Sequence, residues 1–387
     1  MTKNEKFNWL AGFAFVLLLF VWERADANNT SADDSTRNRT TVSELTGKFA
    51  VNPQFSGAGV FSEGLASVRI GDDKSGRWGF IDRQGKMVIN PQFDFATPFN
   101  DGLSVVRFGD WRTGKHGYID RQGRMVINPQ FDKANSFSEG LATMRIGDDA
   151  TGKWGFISKN GEVAINPQFD FAFSFSEGLA PVLIGDWNTG KWGLIDRQGK
   201  MAINPQFDQV LVFSEGLAAV RIGDVASGKW GFIDKRGKMV INPQFDDTYG
   251  FTEGLAAVRI GDPRSGRWGF IDKQGRMVIN PQFDVVFDFR EGLASVKQTN
   301  GKTGKVGFVD KQGKMEIAPQ FDHSFSFREG LAAVRIGDPR SGRWGFIDKQ
   351  GRMVINPQFN ESYRFSEGLA AVRIGDERTG KWGYIYR

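Results

Sequence analysis

The chain has 387 residues, of which 49 are Gly and 13% are aromatic, with a net charge of +5 and no Cys. The absence of Cys excludes a disulfide scaffold, a Cys-ligated zinc site and a thiol enzyme, and two His residues, His116 and His323, are too few for a multi-His metal site. An apolar content of 40% is enough to build a substantial core.

Residues 9–22 (WLAGFAFVLLLFVW) form an uninterrupted apolar run. The run is shorter than the ~20 residues of a membrane-spanning helix but fits the apolar region of a secretory leader. Ala25-Asp26-Ala27 supplies the small-x-small site that follows such a region. A leader over 1–27, cleaved after Ala27, is expected, and with it an exported protein (periplasmic, cell-envelope or secreted). An uncleaved anchor is the alternative, and this segment is the only expected contact with a membrane. Residues 28–46 are almost wholly polar and read as a disordered linker.

From 47 to 387 the chain is one repeated unit. The dipeptide Glu-Gly or Asp-Gly begins at 63 and recurs in steps of 38 to 367, nine copies without an insertion or deletion. Of the 49 Gly, 44 fall at recurring positions, so the glycine excess is a property of the repeat. In the fifth copy, residues 217–222, 229–234 and 238–241 read as three strands separated by turn-forming G-D-x-x-S/T-G and D-x-x-G links. Asn242-Pro243 is expected to end the third strand, because Pro cannot donate to a ladder. Residues 245–251 are expected to add a short fourth strand or a packed loop. No window carries a sustained helical period outside the leader. The fold class is therefore all-β, nine tandem 38-residue β-meanders.

The run K-W-G-F-I-D-K-x-G-K-M-V-I-N-P-Q-F-D, followed by F-S-E-G-L-A-A-V, resembles the bacterial WG-repeat (KWG-type) family over 48–387. The resemblance implies a β-rich repeat, often exported, without an established catalytic site. The seventh copy departs most, with Val296-Lys297-Gln298-Thr299 where others have V-R-I-G, Val306 for Trp and Ala318 for Asn.

Meanders of this size bury their faces by stacking on neighbours, either in a propeller-like closed ring or in an open β-solenoid superhelix. The ends favour the ring. The ninth copy stops after its W-G strand, and residues 47–55 (GKFAVNPQF) are the strand it lacks. Pairing of the two would close a nine-bladed ring.

The W-G position holds Trp78, Trp154, Trp192, Trp230, Trp268, Trp344 and Trp382, with His116 in the second copy and Val306 in the seventh. A large aromatic at one fixed strand position is expected to fill space between units, and the Gly after it permits close backbone approach. The Arg of A-V-R-I-G-D is expected to pair with the carboxylates of neighbouring units. Carboxylates recur in every unit, so they single out no catalytic centre; no catalytic residue, metal site or cofactor is expected. Basic and acidic residues alternate rather than cluster, which argues against nucleic acid. Trp111 and Trp187, large aromatics in polar turns, are the candidate ligand-binding residues, together with His116; Leu183, Tyr249, His323 and Tyr363 are further departures from the repeat. The expected function is an exported, non-enzymatic β-repeat scaffold that binds a protein or polysaccharide partner. The alternatives are a purely structural envelope component, or an enzyme with a site on one face of the ring.

Overall fold

The computed structural model describes residues 46–72, 74–299 and 304–387. The leader expected at 1–27, and the linker expected at 28–46 except for Thr46, lie outside the described residues. Every regular element among the described residues is a β-strand, and the strands form nine antiparallel four-stranded sheets. The fifth sheet, for example, is built from Gln209–Val210, Ala218–Ile222, Lys229–Ile233 and Met239–Phe245. The short strand after Asn-Pro-Gln-Phe is thus real, and it opens each blade.

The third run does not stop at Pro243. It continues to Phe245, because the ladder carries a bulge there: Phe232 pairs with Ile241 and Trp230 with Phe245, so Asn242, Pro243 and Gln244 oppose Gly231 alone. A bulge needs no donor, which is where a strand tolerates Pro. The same bulge explains the glycine of W-G. A Cβ on Gly231 would lie 2.4 Å from the Ile241 carbonyl oxygen, so only Gly allows the bulged strand to pack across it.

The ninth sheet contains Glu361–Ser362, Leu369–Ile374 and Lys381–Tyr386, and its fourth strand is Phe49–Phe55. Phe49 pairs with Ile385, Val51 with Tyr384 and Phe55 with Trp382, and Gly47 N–H donates to the Tyr386 carbonyl at 2.8 Å. The array is a closed ring of nine blades.

Nine apolar clusters lie between adjacent blades. Leu217, Trp230, Phe232, Ile241 and Phe245 of the fifth blade pack with Phe251, Ala256, Val258 and Ile271 of the sixth. The closing cluster has the same composition: Val51, Phe55, Trp382 and Tyr384 against Ala58, Phe61, Val68 and Ile81. Each buried Phe contributes about 1.5–3 kcal/mol.

Polar contacts repeat in step with these clusters. All nine residues at the first position of E-G have φ between 51° and 55°, a conformation that costs a non-glycine residue about 1–2 kcal/mol. Each extends its carboxylate to accept the Gly N–H of the next blade's E-G turn, at 2.9–3.1 Å, and Glu367 completes the circuit with Gly64. A Lys of the next blade often joins, as Lys273 joins Glu215 at 3.2 Å. The stretches just before the E-G turns of adjacent blades also bond directly, Ser62 Oγ donating to the Phe99 carbonyl at 2.7 Å and Ser366 Oγ to that of Phe61 at 2.8 Å. Sheets that radiate from an axis approach most closely beside it. The first strands therefore form the axial edge and the fourth strands the rim.

If the closing interface is equivalent to an internal one, Phe55→Ala and Phe245→Ala will each destabilise the protein by about 3–5 kcal/mol. Denaturant unfolding of both variants checks this, and a markedly cheaper Phe55→Ala would mean an open array.

Candidate functional site

The recurring carboxylates are committed to the framework. Asp234 Oδ1 accepts the N–H groups of Arg236 and Lys238, both at 2.9 Å. In the G-D-x-x-S/T-G loops the Asp accepts two backbone N–H groups, as Asp110 does from Arg112 at 2.7 Å and Thr113 at 3.0 Å. The Ser or Thr hydroxyl, with these N–H groups, holds Asp110, Asp262, Asp338 and Asp376 down at about 2. The Asp after N-P-Q-F links three segments: Asp132 takes Lys115 at 2.6 Å and the Gly147 N–H of the next blade at 2.9 Å. Among the described residues no group of three His, Asp or Glu is placed to hold a metal ion.

The recurring Arg is used differently from the expectation. It does not pair with the E-G carboxylates, which are taken by backbone N–H groups. It stands over the indole of its own blade, with Arg145, Arg221, Arg259, Arg335 and Arg373 at 5.7–5.9 Å from the ring centroids of Trp154, Trp230, Trp268, Trp344 and Trp382, and where it forms an ion pair the acid belongs to the same blade, as Asp149 does for Arg145 at 2.7 Å and Glu361 for Arg373 at 2.8 Å. These indoles and that of Trp192 are buried, and Trp78 is half-buried. The residue three positions after the linking Asp stacks on the indole where it is aromatic, as Tyr249 does on Trp268 with centroids 4.7 Å apart.

Against this near-constant framework two stretches vary from copy to copy. One is the start of the first strand, where Gly57, Phe95, Lys133, Phe171, Gln209, Asp247, Val285, His323 and Glu361 occupy one position. The other is the tip of the G-D loop, which holds Asp, Trp, Val, Pro, Gly or Glu. The fold brings the two together at one end of the ring: Phe171 meets Trp187 with centroids 5.3 Å apart, and Lys133 Nζ donates to the Trp111 carbonyl at 3.3 Å. That convergence was not foreseen. The signal was present in the sequence as the block of unlike residues between Asp and the fixed Phe.

Blades 2 to 4 carry the most aromatic part of this face. Trp111 is 59% exposed with the Arg112 guanidinium 4.6 Å above its ring, and Phe95 and Phe108 of the same blade are exposed too. Trp187 is 46% exposed and folds onto a cluster of Phe171, Phe173 and Trp192, where Leu183 has replaced the Arg. Trp111 and Trp187 thus lie on the same face, two blades apart. His116 does not join them. It fills the buried indole position of blade 2, 5% exposed, and burial with help from Arg107 and Lys133 pushes it down to about 4. Tyr249, Tyr363 and His323 all lie on first strands or directly after them.

Nine four-stranded blades closed by a strand from the other end of the chain define a nine-bladed β-propeller. The chain belongs to the family of WG containing repeats, whose model matches nine times, at 44–73, 78–110, 117–148, 154–186, 192–225, 230–262, 268–302, 307–338 and 344–382. No curated protein matches the sequence. Among solved structures, a eukaryotic initiation factor is similar, with 13% identity and a TM-score of 0.56 over 80% of this chain and 89% of that one. At that identity the likeness concerns the fold alone. Prolyl endopeptidases match at 10% identity and a TM-score of 0.44, covering 80% of this chain and 56% of theirs. Prolyl oligopeptidase B from Galerina marginata matches at 8% and 0.42, covering 79% and 56%.

The unfolded chain protonates His116 near pH 6.5, whereas the folded protein resists until about 4. Between those values the unfolded state binds more protons, so stability is fully present above about 6.5 and falls as the pH drops towards 4. His116→Trp, which restores the usual residue of the repeat, will make the denaturation midpoint less dependent on pH between 7.5 and 4.5. An unchanged slope would remove His116 from the account.

Proposed function

We propose that this protein is a non-catalytic scaffold that binds a protein partner on the face where the first strands and G-D loops converge, chiefly through blades 2 to 4. The observation that carries the reading is the placement of the variable residues. The nine units are nearly identical where they hold the ring together and differ where two surface stretches meet. Trp, Phe and Arg side chains grouped at the surface are the residue types that dominate protein-interface energetics, and Trp111 with Arg112 is such a pair. Several neighbouring weak contacts on one rigid ring reinforce one another through effective concentration.

A polysaccharide is the second reading, favoured by the exposed indole of Trp111 standing on a polar loop, and the aromatic cluster under Trp187 offers a second stacking surface. The proposal includes export by way of the segment 1–27, which rests on its apolar run and Ala25-Asp26-Ala27. The committed carboxylates support a non-enzymatic role, since a proton-transfer pair needs groups of unlike environment.

Proximity labelling in the native host, followed by titration of the captured partner, is the test. Trp111→Ala/Trp187→Ala is expected to weaken binding at least tenfold, or by about 1.4 kcal/mol, with the fold retained. A glycan array run with the same variant identifies a polysaccharide ligand if it is the array signal that falls. Binding unaffected by the double variant on both would overturn the reading. Mass spectrometry of the protein recovered outside the cytoplasm is expected to find Asn28 as the first residue.

A further inference from the structure

The seventh blade lacks the indole around which its siblings are packed. In blades 4, 6, 8 and 9 an aromatic ring lies nearly parallel to the W-G indole: Phe173 on Trp192, Tyr249 on Trp268, Phe325 on Trp344 and Tyr363 on Trp382, at 4.7–5.2 Å and 16–23°. Blade 7 keeps the aromatic, Phe287, but has Val306 in place of Trp. A cavity of about 220 Å³ lies there, between Phe287, Val285, Val296 and Val306 on one side and the start of the eighth blade on the other. Its lining includes Val306, where the sibling indole stands, and Phe287, the counterpart of the aromatic that stacks on that indole, with the His323 ring 6.4 Å from that of Phe287.

The polar lining of the cavity is unusual in the same blade pair. Ser295 and Ser324 line it, both fully buried, and neither Oγ has a hydrogen-bond partner. His323 Nδ1, also in the lining, is buried and unpartnered too. Most sibling blades have no polar atom at these places: Ala219, Ala257, Ala333 and Ala371 correspond to Ser295, and Ala96, Ala134 and Ala172 to Ser324. Where a sibling does carry a hydroxyl there, it can be satisfied, as Thr143 is by the Asn135 side-chain amide at 2.7 Å, Thr248 by the Ala257 carbonyl at 2.8 Å and Ser362 by that of Tyr363 at 2.9 Å. Buried polar atoms are normally paired, so three orphans around one cavity call for a ligand that pairs them. Asp322, at the edge, is already engaged by Lys305 at 2.6 Å and the Gly337 N–H at 2.8 Å. Lys297, also in the lining, has no ion-pair partner among the described residues.

We propose that this cavity is a binding site for a small planar heteroaromatic acid of about indole size. The ring would occupy the slot against Phe287, its heteroatom would face Ser295, Ser324 and His323, and its carboxylate would meet Lys297. The size is appropriate, since an apolar cavity of about 150 Å³ takes up benzene and drug-sized sites begin at roughly 300 Å³. Val285 and His323 belong to the variable first-strand position of the face described above, so the cavity lies on that face, in blades 7 and 8 rather than in blades 2 to 4.

Saturation-transfer NMR and calorimetry on the full chain, with indole-3-carboxylate and 2-naphthoate as probes, test the assignment. The second probe has the shape and charge of the first but no ring N–H. Indole-3-carboxylate is expected to bind at least fivefold more tightly than 2-naphthoate. Val306→Trp, the residue of seven sibling copies, is expected to abolish binding of both. Ser295→Ala/Ser324→Ala, which also installs common sibling residues, is expected to erase the difference between the probes and leave the fold intact. Failure of indole-3-carboxylate to bind, or binding that survives in Val306→Trp, would overturn the site and leave a hydrated cavity only. Binding without discrimination, or discrimination that persists in the double serine variant, would overturn the heteroaromatic assignment.

Discussion

The carboxylate that each E-G turn extends to the next blade fixes the relation between neighbours throughout the ring. Its cost is a left-handed backbone at a residue with a side chain, repeated at all nine turns. Gly at that position would relieve the strain but would have nothing to offer the Gly N–H across the gap. The turn therefore keeps an acid in a conformation that acids avoid, and a charge-assisted hydrogen bond offsets the strain. Because the donor is backbone, the contact constrains where the next turn lies and leaves its side chains unconstrained. The apolar clusters supply most of the stabilisation, whereas this contact supplies the angular register in which they close.

That division of labour frees the remaining surface. Framework positions in the second, third and fourth strands are nearly invariant because each serves two interfaces at once, one on each face of its sheet. The axial strand and the loop tips serve fewer, and their composition drifts from copy to copy. A propeller thereby separates what holds it together from what it presents, and the departures from the repeat become informative in proportion to how regular the rest is.

Most of the architecture was legible in the sequence. The period, the strand content and the closing of the ring by residues 47–55 followed from spacing and from the strand that the ninth copy lacks. Four features were not legible. Pro243 looked like a terminator because propensity rules assume a regular ladder, and the bulge that accommodates it is visible only once Gly231 is seen opposite three residues. The Arg of the repeat looked like an ion-pairing residue because its acidic neighbours in sequence were in reach on paper. In three dimensions the E-G carboxylates were already taken by backbone amides and lysines of the next blade, and the Arg lies over the indole of its own blade, pairing in some copies with an acid of that same blade. His116, Trp111 and Trp187 were all conspicuous as exceptions, but only burial distinguishes the first, a packing substitute, from the exposed pair. The exception that opens a cavity, Val306, was noted as a departure from the repeat without its meaning, because a cavity is a relation among Val306, Phe287 and Ser324 that no single position carries.

The first described strand has one further property. Five of the fourth strands share the sequence Met-Val-Ile-Asn-Pro-Gln-Phe, whereas the closing strand reads Phe-Ala-Val-Asn-Pro-Gln-Phe. Eight blades receive their outer strand through a short covalent link, so they have no choice of partner. The ninth must find its strand from the far end of the chain, among near-copies that would fit the same edge. Phe49 meets Phe359 edge-on, with centroids 6.3 Å apart, a contact that a Met at that position would not make. The least repetitive of these strands is the one whose pairing connectivity does not dictate, and its odd residue acts as an address that distinguishes self-closure from exchange with a neighbouring molecule.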